Sequence, residues 1–361
     1  MKKNILAIAI ASAVATPVAF ANAPTVYGQF NMAVEFKNEE GNNVVHRNSR
    51  VGIKGSEDLG NGLKAVYQAE GTLANSGRNG NWSNTFAFDR NTFAGIAGGF
   101  GTVVMGRHDT PLRMIQPNDG FADSLLGGNN RSAFTGLSTS GEDRLDNVLA
   151  YISPSFGGVQ FAVAGSSATS GAKRTAGTPA VQIDDTDRSS IAGAYSASLS
   201  YGSKKEGIYA AAAFTHVDET KLAGVSAKNK RENVRATVQW NKSGLLLNAM
   251  YNNVTYGSLV NRDWNEGNAY TFGAAYKVGA FTPRAKVALT QYKARVGAGS
   301  TEWKKDAMSY ALGVDYALGK NTKVYAEYAN LDKHNRAFTT TKKNGERTDS
   351  NAFSVGFFHK F

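Results

Sequence analysis

Strict alternation between apolar residues and small or polar residues is the feature that most constrains how this chain can fold. In MSYALGVDYAL (308–318), every second residue is large and apolar, and the residues between them are Ser, Ala, Gly, Asp and Ala. AYTFGAAYKV (269–278) and NVRATVQW (233–240) follow the same rule. Because side chains along a β-strand point alternately to opposite faces, each segment predicts a strand with one apolar face and one wet face.

Turn signals divide the chain into many such strands. Short Gly-rich turns lie at 57–62, 98–101, 154–158, 202–207, 241–244, 277–281 and 318–321. Longer polar segments lie near 38–46, 73–85, 109–142, 166–188, 218–230, 255–268, 296–306 and 331–349. The two kinds alternate, so seven short turns and eight long loops predict sixteen strands, with the short turns on one rim and the long loops on the other.

Two fold classes accommodate alternating strands. A soluble β-sandwich also alternates, but its strands are shorter and its polar face need not stay small or charged throughout. An outer-membrane barrel has strands of about ten residues, a lipid-facing exterior and an aqueous lumen. Closure satisfies the backbone hydrogen bonds in lipid, and a bore of this size is too wide for side chains to fill. We therefore expect an all-β fold, a 16-stranded antiparallel transmembrane β-barrel around a channel.

The first residues have the layout of a secretory signal peptide. MKKNILAIAIASAVATPVAFANA begins with two lysines, continues as an apolar stretch too short to span a bilayer, and ends in small residues. Two Ala-x-Ala cleavage sites end at Ala21 and Ala23, and the second would leave Pro24 directly after the cut. We therefore predict a signal peptide over 1–21 and a barrel domain over 22–361 in the cell outer membrane.

Composition narrows the chemistry further. The chain has no cysteine, which excludes a disulfide framework and a thiolate metal site. Its formal net charge is +11, and +9 without the two leader lysines. For an exported chain, nucleic acid is not an expected partner, so we expect this charge to act on small anions, outer-membrane lipid or lipopolysaccharide.

An outer-membrane enzyme is the main alternative from a different class. Such an enzyme needs a nucleophile or an activated water with a paired base. The five histidines are isolated, and neighbouring residues such as His108 and Asp109 point to opposite faces of an extended chain. The sequence contains no H-E-x-x-H, G-x-S-x-G or P-loop motif. We therefore expect neither catalysis nor a cofactor.

Four stretches resemble a known family: GSEDLGNGLKAVYQAE (55–70), FAGIAGGFGTVVMGRHDTPL (93–112), RLDNVLAYISPSFGGVQFA (144–162) and VGFFHKF (355–361). They are similar to the general-diffusion porins of Gram-negative bacteria, and most of all to the trimeric porins of the Neisseria type. The resemblance implies a homotrimer whose third long loop folds back into the lumen. It also implies that the last strand, ending at Phe361, is read by the outer-membrane assembly machinery. The alternative is that Phe361 is only a lipid-facing girdle residue.

The third long loop, 109–142, supports the same expectation by its own residues. It contains apolar side chains that a solvated loop would not need, namely Met114, Ile115, Phe121, Leu125, Leu126 and Phe134. Because a connection of this length is usually functional or disordered, we expect it to pack against the barrel wall rather than to be an ordinary exposed loop. Its acids, Asp109, Asp119 and Asp123, would then lie at the constriction.

Strand parity identifies bases that point into the lumen. In SRVGIKG (49–55), the apolar Val51 and Ile53 face lipid, so Arg50 and Lys54 face inward. The same alternation in two later strands places three more bases inside, namely Arg235, Arg284 and Lys286. The last two have an alternative role in binding lipopolysaccharide phosphates at the rim.

Parity fails where the chain leaves a strand, as at the two ends of the third loop. The porin resemblance places Arg107 and Arg144 there, on the wall opposite the acids of the loop. Arg90 is not included, because it shares parity with Phe86 and Phe88 and would need a β-bulge to turn inward.

The expected function is a water-filled channel for passive diffusion of small hydrophilic solutes and ions. A positive wall facing an acidic loop would orient solutes and predicts a mild preference for anions. Three alternatives stay open: lumen residues that are charged only because the lumen is wet, a substrate-specific channel for phosphate or a dicarboxylate, and an adhesin or phage receptor formed by the long loops.

Overall fold

The computed structural model describes residues 23–37, 41–73, 88–121, 137, 143–167, 193–218, 230–257, 266–294, 302–333 and 350–361. The predicted signal peptide and Asp123 lie outside the described residues. The strands are β1 (Thr25–Lys37), β2 (Gly41–His46), β3 (Arg50–Gly60), β4 (Leu63–Thr72), β5 (Thr92–Gly98), β6 (Gly101–Asp109), β7 (Arg144–Ile152), β8 (Val159–Ser166), β9 (Ala194–Gly202), β10 (Gly207–Asp218), β11 (Lys230–Lys242), β12 (Leu245–Tyr256), β13 (Glu266–Tyr276), β14 (Phe281–Ala294), β15 (Trp303–Ala317), β16 (Thr322–Leu331) and β17 (Ser350–Lys360). One short helix, α1 (Pro111–Met114), follows β6.

The strands form one closed antiparallel sheet in chain order. β1 pairs with β2 over Met32–Lys37 and with β3 over Thr25–Gln29, so β2 and β3 are two parts of one barrel strand that is interrupted at residues 47–49. The barrel therefore has sixteen strands, which confirms the predicted fold. In the part of the chain that is described, no helix is long and apolar enough to cross a membrane.

Alternation along the strands produces the two faces of the barrel. In β11, exposed and buried residues alternate from Lys230 to Trp240, because outward side chains are covered only by their neighbours in the sheet, whereas inward side chains are also covered from the lumen side. Exposed aromatic residues lie on the outward face near the short turns, for example Tyr201, Tyr276 and Phe281, and near the opposite rim. Such bands of aromatic residues flank the apolar belt of outer-membrane barrels.

The seven predicted short turns are all present, and seven of the eight long segments match gaps between strands. The first long segment, near 38–46, was expected to be a loop throughout, and this expectation was wrong. Gly41–His46 forms β2, because its backbone continues the ladder of β1 from Lys37 opposite Gly41 to Met32 opposite His46. Backbone pairing outweighs the polar composition of this segment.

The last strand closes the barrel against the first. β17 pairs with β1 from Gln29 opposite Lys360 to Lys37 opposite Ala352. Beyond this ladder, the backbone N–H groups of Phe361 and Gly28 donate to each other's carbonyl oxygens, both at 3.1 Å. The Phe361 ring occupies the space where a side chain at residue 28 would lie, since a Cβ there would be 2.6 Å from the ring. A Cβ would also lie 2.5 Å from the backbone oxygen of Arg50, so glycine at this position allows both β3 and the Phe361 ring to pack on β1.

Candidate functional site

The third loop turns into the barrel as soon as it leaves β6. Thr110 caps α1 by accepting a hydrogen bond from the backbone N–H of Arg113 at 3.3 Å, and Pro111 suits the first helical turn. Leu112 and Ile115 are buried in a cluster with side chains of β10, namely Tyr209, Ala211 and Ala213. Burial of these apolar residues explains why the loop packs on the inner wall and not outside the barrel.

Inward side chains of successive strands then hold the loop backbone. Ser196 on β9 accepts from the N–H of Leu112 at 3.3 Å. Gln239 on β11 accepts from the N–H of Asn118 at 2.7 Å, and Asn248 on β12 donates to the carbonyl of Asn118 at 3.0 Å. The loop therefore follows the inside of the wall from strand to strand.

The path continues across the strands that lead to the closing seam. Lys286 on β14 forms an ion pair with Asp119, with Nζ 2.8 Å from Oδ2. The side chain of Phe121 is buried against residues from β14 to β17, namely Ala288, Ala311, Ala329, Leu331 and Ala352. Leu137 is buried near the long-loop ends of β12 to β15, against Val254, Tyr256, Ala269, Tyr292 and Ala307. The described parts of the loop thus line the lumen from β9 to β17, which confirms that the third loop folds inward.

Three predicted lumen bases lie beneath this loop. Arg235, Arg284 and Lys286 face inward, but they are only 0%, 5% and 4% exposed. Arg235 donates through Nη1 to the carbonyl of Leu112 at 3.4 Å and through Nε to Asn252 at 3.0 Å. These bases therefore bind the loop and do not contact open water.

Arg284 contacts both the barrel wall and the third loop. Its guanidinium lies 2.8 Å from Asp315 and 3.3 Å from Glu327, and it donates to the carbonyl of Gly120 at 3.3 Å. The guanidinium carbon is 4.4 Å from the centre of the Phe121 ring, within cation–π range. Arg284 therefore joins the acids of two wall strands to the loop.

A second charged cluster fastens the base of the loop. Asp109 Oδ1 is 2.9 Å from Nε of Arg144 and 3.1 Å from Nε of Arg113. At the exit of the loop, Arg231 donates two hydrogen bonds of 2.9 Å to the carboxylate of Asp143. The N–H of Thr110 donates to the carbonyl of Asp143 at 3.2 Å, which ties the start of the loop to its end. Arg144 is thus part of the base of the loop.

Arg50 and Lys54 on β3 point inward and stay partly exposed. Nε of Arg50 is 3.8 Å from a carboxylate oxygen of Glu70, which also accepts a hydrogen bond of 2.9 Å from the hydroxyl of Tyr27. The ammonium of Lys54 lies 4.9 Å from the centre of the Tyr27 ring. This wall therefore presents positive charge to the lumen beside an aromatic residue.

Two further inward lysines lie across the seam from Arg50 and Lys54. Lys323 on β16 is 2.5 Å from Asp315 and 5.6 Å from the centre of the Phe358 ring, and its side chain is 32% exposed. Lys360 is opposite the inward Gln29 and is exposed. Neither lysine was selected from the sequence, although Lys360 has inward parity.

The expectation that Arg107 lines the pore is corrected by the register of β6. Arg107 is opposite Thr92, whereas the adjacent Gly106 is opposite the inward Phe93, so Arg107 points outward. Its guanidinium lies 2.7 Å from Asp146, whose side chain is 51% exposed. This direction follows the alternation of β6, in which Met105 is also exposed, and the pairing with β7 shifts register just after it, between Gly106 and His108.

Other charged residues inside the barrel were missed. Arg90 forms an ion pair with Glu70, and Arg47 forms one with Glu35. Arg90 precedes β5, which begins at Thr92, so the alternation with Phe88 does not extend to it. Arg47 lies between β2 and β3, where the strand is interrupted. For both arginines, the only sequence signal was a break in the alternation, and no Pro or Gly marks either break.

The pairing of His108 with Asp109 has no catalytic geometry. The ring nitrogen Nδ1 of His108 is 2.8 Å from the backbone oxygen of Asp109, while the Asp109 carboxylate contacts arginines. The His108 ring packs edge-on against Phe93, with centroids 5.0 Å apart. Within the described ranges, no group of three or more His, Cys, Asp or Glu side chains is placed to hold a metal ion.

Comparison with known proteins agrees with this architecture. The chain is 33% identical to the major outer membrane protein P.IB of Neisseria gonorrhoeae over 192 residues, which cover 47% of this chain and 51% of the relative. The match thus spans about half the length of such curated relatives. Among solved structures, an anion-selective porin from Comamonas acidovorans has a TM-score of 0.66 at 21% identity, covering 94% of this chain and all of that chain. The trimer form of OmpT of Vibrio cholerae has a TM-score of 0.63 at 16% identity, with 94% of this chain and all of that chain covered.

At these identities the solved structures support the fold alone. The family model described as "Gram-negative porin" matches residues 7–336. Porins are channels and not enzymes, so the enzyme alternative is rejected. The chain is therefore an outer-membrane protein that belongs to the Gram-negative porin family.

Proposed function

We propose that this chain forms a water-filled channel for passive diffusion of small hydrophilic solutes and ions, with a mild preference for anions. The observation that carries the proposal is the combination of a closed sixteen-stranded barrel with a third loop that narrows it from inside. A barrel of this size leaves an aqueous passage, and the charges around the narrowed part decide which ions pass.

The balance of charge inside the barrel supports anion preference. Seven acids of the lumen and the third loop are within ion-pair distance of a base, for example Asp109, Asp119 and Asp143. Bases outnumber acids among the following residues of the lumen and the third loop. The bases are Arg47, Arg50, Lys54, Arg90, Arg113, Arg144, Arg231, Arg235, Arg284, Lys286, Lys323 and Lys360. The acids are Glu35, Glu70, Asp109, Asp119, Asp143, Asp315 and Glu327.

Solvent exposure indicates which bases act on passing ions. Arg50, Lys54, Lys323 and Lys360 are partly or fully exposed, whereas the bases beneath the loop are buried. A buried, paired charge is largely neutralised by its partner, so the field in the water-filled passage comes mainly from exposed bases. We therefore assign the selectivity of the channel to the inner wall on both sides of the closing seam, which is the pairing of β1 with β17. The anion-selective porin of Comamonas acidovorans shares this fold, which is consistent with the assignment.

The working unit is proposed to be a homotrimer in outer-membrane lipid and lipopolysaccharide. Support comes from the porin family match and from the solved trimer form of a structural neighbour. We also propose removal of residues 1–21 on export and recognition of Phe361 by the outer-membrane assembly machinery. Phe361 is 45% exposed on the outer face, where another protein can contact it.

Recording from planar bilayers tests the channel directly. Purified protein without its leader should produce conductance that appears in groups of three equal steps and rises linearly with KCl concentration. Adding phosphate or a dicarboxylate at low concentration should not block the chloride current. Block at low concentration would instead indicate the substrate-specific anion channel, and absence of conductance by correctly assembled protein would contradict the proposed function.

A further inference from the structure

Lys204 lies in the short turn between β9 and β10, yet it contacts the third loop, which narrows the channel. Its ammonium donates a hydrogen bond of 2.6 Å to the backbone carbonyl of Met114, the last residue of α1. The same ammonium is 5.0 Å from the centre of the Tyr209 ring. Tyr209 belongs to the cluster that buries Leu112 and Ile115 of the loop. One residue of the short-turn rim therefore reaches a loop that originates at the opposite rim.

A single glutamine reinforces this contact. Gln239 is 1% exposed and uses both ends of its amide. Its nitrogen donates to the carbonyl of Lys204 at 2.7 Å, and its oxygen accepts from the N–H of Asn118 at 2.7 Å. Asn241 donates to the carbonyl of Lys205 at 2.9 Å, which fixes the turn itself. The turn and the loop are thus joined through the side chain of Gln239 and through Lys204.

These contacts lie in the short-turn half of the barrel. Tyr209 is near the beginning of β10, Gln239 is near the end of β11 and Asn248 is near the beginning of β12, and all three positions adjoin short turns. Leu137, further along the loop, contacts Val254 and Tyr256 at the other end of β12. Among the described residues of the third loop, Met114 and Asn118 therefore lie in the short-turn half and Leu137 lies in the long-loop half.

We infer that Lys204 is a positioning residue that, together with Gln239, fastens the third loop at Met114 and Asn118 to the short-turn rim and so sets the bore. This inference rests on the proposed channel function. A charge-assisted hydrogen bond to a backbone carbonyl fixes distance more firmly than packing alone. Loss of the bond frees the loop to move away from the wall without opening the barrel, since the strand ladders do not involve the Lys204 side chain.

The neighbouring lysine provides a matched control. Lys205 is in the same turn and is exposed. Lys204→Met and Lys205→Met remove the same charge from the same turn, but only the first removes the hydrogen bond to Met114. Single-channel recording should show that Lys204→Met spends about tenfold more time in alternative conductance levels, the ratio expected for loss of one charge-assisted hydrogen bond. Lys205→Met should behave like the wild type.

Two further variants separate positioning from a general structural role. Lys204→Arg restores a donor and should return the channel to steady conductance, while Gln239→Met removes the other half of the contact and should reproduce the excess of alternative levels. Both lysine variants should assemble as fully as the wild type, because neither side chain takes part in the strand ladders. Should Lys204→Met fail to assemble, Gln239→Met in place of it carries the same expectation.

Equal conductance behaviour in Lys204→Met and Lys205→Met, or steady conductance in Gln239→Met, would overturn the inference. Both results presuppose a conducting wild type. Failure of the wild type to conduct would instead contradict the proposed function, so the two failures are distinguishable.

Discussion

Lys286 Nζ lies 2.8 Å from Asp119 Oδ2, and the two side chains are only 1% and 3% exposed. This ion pair joins β14 to the third loop inside the barrel. Because both charges are buried, removal of one partner leaves the other uncompensated, which costs about 3–5 kcal/mol in buried sites. The pair therefore controls whether this part of the loop stays on the wall.

The first prediction is that Lys286→Met releases this part of the loop and raises single-channel conductance. The barrel itself should remain assembled, because backbone pairing of β14 with β13 and β15 does not use the Lys286 side chain. Combining Lys286→Met with Asp119→Asn removes the uncompensated charge and should bring the conductance part of the way back. A conductance change in the double variant equal to the sum of the changes in Lys286→Met and in Asp119→Asn alone would show that the two residues are not coupled.

The second prediction concerns the exposed bases. Lys54→Gln and Arg50→Gln should each lower the ratio of anion to cation permeability by about twofold to fourfold, as expected for one charge acting through water at close range. Arg107→Gln is the matched control, because it removes the same charge from the outer face. Reversal potentials in a KCl gradient measure the effect. An Arg107→Gln shift as large as that of Lys54→Gln would mean that total charge, and not position, sets the selectivity.

The contrast between Arg50 and Arg284 shows how far the sequence could predict this site. Alternation within a strand depends on local geometry, so it identified both side chains as inward. The exposure of each depends on the path of the third loop, which is fixed by contacts between residues far apart in the chain. For this reason the sequence could not distinguish Arg284, which binds Gly120 and Phe121, from Arg50, which faces water.

Residues outside regular strands were the other source of error. Arg90 and Lys204 lie in irregular segments whose side-chain directions follow from tertiary packing and not from period two. Arg107, by contrast, lies within β6 and shares the outward parity of the exposed Met105, so its inward placement came from the porin resemblance and not from the alternation. The strand count was more robust, because Gly-rich turns and alternation agree along the whole chain.

The third prediction concerns the closing seam. Tyr325 on β16 reaches across Gly356 on β17 and donates a hydrogen bond of 2.8 Å to Asn31 on β1. A Cβ at residue 356 would overlap the Tyr325 ring, so Gly356→Ala should destabilise the barrel by about 1–3 kcal/mol. Thermal unfolding of the purified protein measures the loss. Gly319→Ala is the control, because a Cβ there meets nothing within 4 Å.

A shorter side chain at residue 325 should relieve part of this strain. Gly356→Ala combined with Tyr325→Leu is therefore expected to unfold at a higher temperature than Gly356→Ala with the natural tyrosine. No difference between these two proteins would show that the ring is not the source of the strain.

The fourth prediction separates two roles of Phe361. If the residue is a recognition signal, Phe361→Ala should reduce the amount of assembled protein in cells while the purified chain still refolds in detergent. The variant keeps the two backbone hydrogen bonds to Gly28. Phe357→Ala removes a phenylalanine of similar exposure, 42% against 45%, from the same face of β17 and should assemble normally. Normal assembly of Phe361→Ala in cells would leave Phe361 as a girdle residue only.

We propose that the exposed bases on the inner wall beside the β1–β17 seam determine what passes through this barrel. The sign of the reversal potential of the wild-type channel, measured across a KCl gradient in a planar bilayer, tests it most directly. We predict the sign that corresponds to chloride carrying more current than potassium, because Asp109, Asp119 and Asp143 are matched by bases while Arg50, Lys54, Lys323 and Lys360 remain in contact with water. A reversal potential of the opposite sign, showing clear cation selectivity, would contradict the proposed role of these exposed bases.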